Sequence, residues 1–134
     1  MMLDKMTALH LVPDPPYVLI IDDDPLFLAT ACEAVREQGL AARGVGSAVE
    51  GLEALAEGDA PKLILLDLIL PGLGARDFLA VVKQEIALSR TPVVLVTAVA
   101  AEEVPGDLQV DGVVLKPVEA SQLASLVHRY CGRA

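Results

Sequence analysis

The sequence predicts an α/β fold: a doubly wound parallel sheet with helices on both faces. Three observations predict it. Four short, unbroken apolar runs, Tyr17–Ile21, Leu63–Leu66, Val93–Val96 and Val113–Leu115, have the length and character of strands buried on both faces. Amphipathic helical stretches alternate with them, which implies βαβ crossovers between parallel strands. Each run also ends in polar residues: Asp22-Asp23, Asp67, Thr97 and Lys116, respectively. Ligands of open parallel sheets bind beyond the carboxyl ends of the strands, so these residues would share one sheet edge.

The elements follow in order. Residues 1–16 read as a tail, with Pro13, Pro15 and Pro16 keeping the approach extended, and residues 17–134 as the single domain. After the first strand, Asp24-Pro25 reads as a helix start, Asp24 as N-cap and Pro25 at the first helical position. Leu28, Ala31, Cys32 and Val35 fall on one face of that helix, and Gly39 closes it. A weak strand spans Leu40–Val45. Ser47-Ala48-Val49-Glu50 reads as a capping box opening a helix that Gly58 ends. Beyond the next strand, Pro71-Gly72 and Gly74 make a turn-rich loop. A helix from about Ala75 to Leu88 would bury Phe78, Val82 and Ile86 or their neighbours. Pro92 introduces the fourth strand. The eighteen residues between Thr97 and Lys116 must hold a helix, two loops and a strand, and Pro105-Gly106 breaks them in the middle. Only a shortened helix fits there, about Val99–Val104. The last helix runs from about Glu119 to Tyr130, with Leu123, Leu126, Val127 and Tyr130 inward.

Composition narrows the function classes. A chain of 134 residues buries roughly two-thirds of its unfolded surface, enough for one core. A net charge of -9 without any basic stripe argues against nucleic acid as a partner. No segment approaches the roughly 20 apolar residues that a bilayer needs, and the start lacks signal-peptide character, so a cytoplasmic protein is expected. Cys32 and Cys131 have no metal spacing and read as reduced thiols, Cys32 buried. A bridge between them is the minority alternative, conceivable only if their helices are neighbours.

The sheet edge carries the chemistry. Three carboxylates there repel one another, by about 4 kcal/mol for a pair at 4 Å and an effective dielectric of 20. A divalent cation removes that penalty, and carboxylates beside open positions suit Mg²⁺, which keeps waters and meets phosphate. Lys116 brings a mobile positive charge for a phosphoryl or carboxylate oxygen, and Thr97 a hydroxyl donor. Asp67 is then a nucleophile able to form an aspartyl phosphate, a reaction that needs little beyond positioning and charge neutralisation. Taken singly, each residue has an ordinary explanation: Asp24 is a cap, Asp22 and Asp23 suit any turn, Thr97 could cap, and Lys116 could be a solvated lysine. Only the combination makes a site. His10 and His128 read as exposed and inert, Glu102-Glu103 as solvated surface.

The combination resembles the receiver domain of bacterial two-component response regulators, from about Tyr17 to Cys131. The motifs are Ile21-Asp22-Asp23-Asp24-Pro25, Leu66-Asp67-Leu68-Ile69-Leu70-Pro71-Gly72, Val96-Thr97-Ala98 and Leu115-Lys116-Pro117. The resemblance implies a flavodoxin-like (βα)5 fold, strand order 2-1-3-4-5, with a cis Lys116-Pro117 bond. It implies that Asp67 accepts a phosphoryl group from a phosphohistidine of a sensor histidine kinase or histidine phosphotransfer protein. Asp23, Asp67 and the backbone carbonyl of Ile69 would ligate Mg²⁺, Asp22 mainly through water, and Lys116 and Thr97 would contact phosphoryl oxygens. Such a chain is no enzyme beyond its own phosphorylation and dephosphorylation. With four residues after Tyr130, its expected output is a protein–protein contact with a downstream target, as in chemotaxis-type or phosphorelay single-domain regulators, or else service as a phosphate sink.

The chain also departs from that pattern. Three residues before Lys116 the family usually has an aromatic that swings inward; here it is Val113, with no aromatic between Thr97 and Lys116. The Thr97–Lys116 interval is short by nearly one helical turn. Gly74-Ala75 replaces a common Asp-Gly pair. Ile69 and Val99 stand two residues after Asp67 and Thr97, at positions that in that family flank the path of attacking water; neither side chain can orient it, so the resemblance implies a phosphoaspartate slow to hydrolyse. Two other readings compete. One is a degenerate receiver, an interaction module that takes no phosphate. The other is a haloacid-dehalogenase-like phosphohydrolase, in which Asp22 and Asp24 would form the acidic pair and Asp67 would be superfluous.

Overall fold

The computed structural model describes residues 15–132; most of the expected tail, residues 1–14, lies outside them. Five strands, β1 (Tyr17–Ile21), β2 (Ala41–Val45), β3 (Leu63–Leu66), β4 (Val93–Thr97) and β5 (Gly112–Leu115), form one sheet of order β2-β1-β3-β4-β5. Every pairing is parallel. The flavodoxin-like order and the cis Lys116-Pro117 bond are as expected. Four α-helices are described: α1 (Pro25–Glu37), α2 (Ala48–Ala56), α3 (Ala75–Gln84) and α4 (Ala120–Cys131).

The core has two layers, set by the alternation of side chains along each strand. Val18, Ile20, Leu63, Leu65, Val94 and Val96 meet Ala31, Cys32 and Val35 of α1 and Leu123 and Val127 of α4. Leu19, Ile21, Ile64, Leu66, Val93 and Leu95 meet Ala48 and Ala54 of α2 and Ala75, Phe78, Leu79 and Val82 of α3. Gly51 of α2 lies so close to the sheet that a Cβ there would sit 2.6 Å from Ile21 Cδ1 and 3.2 Å from the Phe78 ring. Cys32 and Cys131 are free thiols, each raised above its ordinary pKa by burial.

Helix ends follow from local chemistry. Asp24 caps α1, its Oδ1 accepting from the Leu26 N–H at 3.0 Å, and Gly39 follows the helix at φ 86°, a conformation that glycine adopts freely. Ser47 caps α2 by accepting from the Glu50 N–H at 3.2 Å. The second half of the expected capping box is different: Glu50 takes the Ser47 hydroxyl at 3.1 Å. Leu126 and Tyr130 of α4 are half-buried, and the Tyr130 hydroxyl donates to the Asp111 carbonyl at 3.1 Å.

Three expectations need correction. The helix from Ala75 stops at Gln84, because Glu85 turns extended (ψ 118°), and a 3-10 turn, Ile86–Leu88, follows. The change of phase buries Leu88 and leaves Ile86 90% exposed. The short helix at Val99–Val104 is a single 3-10 turn, Ala101–Glu103. Val104 precedes Pro105 and takes the extended conformation that proline imposes. What remains is under two turns, too short to offset helix nucleation. For the same reason β5 is not buried on both faces: Val113 and Leu115 are 43% and 41% exposed, where no helix covers them. A groove of about 490 Å³ opens there, with Val104 and Leu108 on its far wall. Residues 98–111 are fastened elsewhere. The Asp111 N–H donates to the Val93 carbonyl and its carboxylate accepts from the Val93 N–H, both at 2.8 Å. Arg76 at the start of α3 holds Asp107 through two bonds of 2.9 and 3.0 Å. No helix among the described residues is long and apolar enough to cross a membrane.

Candidate functional site

The backbone fixes the site before any side chain does. Asp22, Asp67 and Lys116 each stand one residue past a strand, and each N–H makes one more ladder bond to the neighbouring strand. Asp22 donates to the Val45 carbonyl (3.0 Å), Asp67 to Ile21 (3.0 Å) and Lys116 to Thr97 (2.8 Å). Thr97 is the last residue of β4 and wholly buried. Four positions spread over the sequence are thus held along one edge of one sheet.

Side chains then converge. Oxygen atoms of Asp22, Asp23 and Asp67 lie within 4.8 Å of one another. Asp22 and Asp67 are 1% and 8% exposed, whereas Asp23 faces solvent. The Lys116 ammonium enters this corner, 2.5 Å from Asp22 Oδ2 and 3.4 Å from Asp67 Oδ2. The second oxygen of each buried aspartate is tied to nearby backbone: Asp22 Oδ1 accepts from the Asp24 N–H at 2.9 Å, Asp67 Oδ1 from the Ile69 N–H at 3.2 Å. These bonds orient the two carboxylates within reach of Asp23. The Thr97 hydroxyl accepts from the Val99 N–H at 3.4 Å, and the Ile69 side chain points outward, 64% exposed.

The electrostatics match a corner short of positive charge. Burial raises the Asp22 carboxyl above the usual carboxylate range, against the Lys116 ion pair and the Asp24 N–H, which lower it. Burial pulls Lys116 down, but bonding to Asp22 and the charge of Asp67 outweigh it and hold the amine above its ordinary value. Lys116 therefore stays charged, shared between Asp22 and Asp67, and burial leaves Asp22 the harder of the two groups to keep ionised. An oxygen-only donor set of this kind, partly open to solvent through Asp23, has the chemistry of a site for a hard divalent cation.

The structure thus gathers Asp22, Asp23, Asp67 and Lys116 in one corner, with Thr97 at the adjoining strand end. Asp24 serves α1 as its cap, which removes it from the acidic pair that the phosphohydrolase reading requires. One participant escaped the sequence reading. The Phe27 ring lies under the Lys116 ammonium, 4.4 Å from ring centroid to Nζ. Its only signal is being the sole aromatic in the first turns after Asp22-Asp23.

Comparison with known proteins agrees with this arrangement. Residues 18–128 match the family model described as the response regulator receiver domain. The sensory transduction protein RegX3 of Mycolicibacterium smegmatis is 36% identical over 115 residues, 82% of this chain and 48% of that protein. The transcriptional activator protein PfeR of Pseudomonas aeruginosa is 35% identical over 94 residues, covering 70% of this chain and 30% of PfeR. The chain therefore spans at most about half the length of these curated relatives. Among solved structures, a sensor protein from Polaromonas sp. JS666 has 25% identity and a TM-score of 0.76, covering 86% of this chain and 94% of its own. The chemotaxis response regulator CheY4 of Vibrio cholerae, at 18% identity, shares the fold with a TM-score of 0.79, covering 87% of this chain and 99% of its own. With the family model spanning nearly every strand and helix described above, this chain belongs to the response regulator receiver domain family.

Proposed function

We propose that the chain is a phosphoacceptor in a two-component phosphorelay, with Asp67 the residue phosphorylated. The observation that carries this reading is the Lys116 ammonium bridging Asp22 and Asp67 beside a third carboxylate. The donor is a phosphohistidine of a sensor histidine kinase or phosphotransfer protein. An Asp67 oxygen attacks phosphorus, the P–N bond breaks, and the imidazole leaves with the electron pair and takes up a proton. Lys116 neutralises charge on the transferring oxygens, and Thr97 donates its hydroxyl to them once they arrive. The Ile69 N–H holds Asp67 oriented for attack. Asp23, Asp67 and the Ile69 carbonyl would hold Mg²⁺, with Asp22 acting through water. Bound there, the ion supplies further charge neutralisation at the phosphoryl oxygens.

Output through protein contact, without nucleic acid or membrane, and residence in the cytoplasm complete the proposal. The acidic surface supports it. Some relatives act on DNA by name, among them the DNA-binding response regulator MtrA of M. smegmatis, 31% identical, but this chain covers only 48% of that protein. The degenerate-receiver reading keeps one supporting observation: the uncovered face of β5 where a helix is missing. Intact mass after incubation with a small phosphodonor and Mg²⁺ separates the two. One phosphoryl group gained by the wild type and none by Asp67→Asn is expected. No gain by the wild type, while a control receiver is labelled, makes the chain an interaction module.

A further inference from the structure

We infer that Phe27 is a positioning residue for phosphoryl transfer: its ring seats the Lys116 ammonium at the acidic corner. The inference rests on the reading of Asp67 as phosphoacceptor and assigns a residue that this reading lacks.

The argument starts from what holds a lysine in place. Its ammonium is a compact charge on a flexible four-carbon stem, so its position is set by its partners. Lys116 has three: Asp22 Oδ2, Asp67 Oδ2 and the face of Phe27, whose centroid lies 4.4 Å from Nζ. That distance is within the range where a ring quadrupole attracts a cation. The two carboxylates are unreliable anchors during the reaction. Asp67 changes its charge and bonding when it is phosphorylated, and a divalent cation competes for both aspartates. The ring binds no cation by coordination and takes part in no bond change, so its hold persists through every stage.

The ring is itself fixed. Phe27 lies on α1, half-buried, and packs against the core cluster that includes Val18, Ile20, Ala31 and Val35. The Asp24 cap begins this helix directly after Asp22-Asp23. One six-residue segment, 22–27, therefore supplies two carboxylates and the ring, while Lys116 arrives from the far end of the chain. A branched aliphatic side chain at position 27 would fill similar space but offer no negative face.

The test uses the full chain, labelled with ¹³C and ¹⁵N, and the variants Phe27→Leu and Phe27→Tyr. Protons over a ring face are displaced upfield, so the Lys116 ε-protons of the wild type should lie upfield of those of Lys62 and Lys83. Phe27→Leu should abolish the displacement and slow labelling by a small phosphodonor roughly three- to tenfold. Its Mg²⁺ midpoint should stay within about twofold of wild type. Phe27→Tyr, which restores a ring, should recover both the displacement and the rate. A wild type without the displacement overturns the inference, as does Phe27→Leu labelled at the wild-type rate. Phe27→Tyr as slow as Phe27→Leu also overturns it, because loss of packing alone would then be the cause. A wild type that takes no phosphoryl group refutes the phosphoacceptor reading instead. The proton displacement is read without any phosphodonor and decides separately whether the ring seats the ammonium.

Discussion

At the scale of single residues, the site is built from side chains that packing would not choose. A sheet edge that holds two almost fully buried aspartates needs a cation, and Lys116 supplies only one charge. With Asp67 as the proposed acceptor, what surrounds it also sets how long a phosphoryl group would stay. Ile69 and Val99, two residues after Asp67 and Thr97, bear only apolar side chains, and the Val99 N–H is engaged with the Thr97 hydroxyl. Neither can hold a water in line. The phosphoaspartate is therefore expected to persist for minutes, and Ile69→Asn to shorten that lifetime; decay of the phosphorylated mass with time measures both. A wild-type lifetime of seconds contradicts the account. All five polar strand-end residues were legible in the sequence because Asp22-Asp23, Asp67, Thr97 and Lys116 directly follow apolar runs. Phe27 was not, since its role depends on Lys116, 89 residues later, which pattern reading does not bring near it. The Arg76–Asp107 pair is opaque for the same reason: 31 residues separate two ordinary surface charges.

At the scale of elements, the connection between β4 and β5 differs most from the rest. It carries one 3-10 turn where the other crossovers carry α-helices. Val104, Leu108 and Val110 pack against the core, but a single 3-10 turn supplies little hydrogen-bonded structure of its own, so the segment's local stability is low. Without an aromatic at Val113, a switch that works by ordering this segment fits the structure, since order–disorder change is an established mode. Amide exchange across residues 98–110 should slow when a phosphoryl mimic such as beryllofluoride binds with Mg²⁺; equal protection in both states excludes this switch. The α2 helix shows the opposite character. Gly51 leaves no room against Ile21 and Phe78, so Gly51→Val should cost about 1–3 kcal/mol by overpacking, read from urea unfolding. The sequence revealed helix starts well, because Asp24 and Ser47 announce themselves chemically. It misjudged the end at Gln84, where neither glycine nor proline marks the break, and it overestimated the segment before Pro105, where nucleation cost outweighs helix propensity.

At the scale of the molecule, strand order came from the resemblance, while the alternation of strand and helix came from hydrophobic pattern alone. The order β2-β1-β3-β4-β5 places β3 at the centre between β1 and β4 and leaves β2 and β5 each paired on one side only. Asp22, Asp23, Asp67 and Thr97 thus belong to the part of the chain that ends with β4, and Lys116 to the part that begins with β5. A cut between Val104 and Pro105 would sever no strand and no α-helix. The domain is in this sense two complementary pieces, one bearing the anions and the other the cation. Produced separately, the longer piece would hold its acceptor aspartate without its ammonium, and the shorter would carry an edge strand and one helix ready to dock in trans. Labelling of the longer piece by a phosphodonor should then appear only when the shorter is added, so that the chemistry itself reports the reunion of the halves.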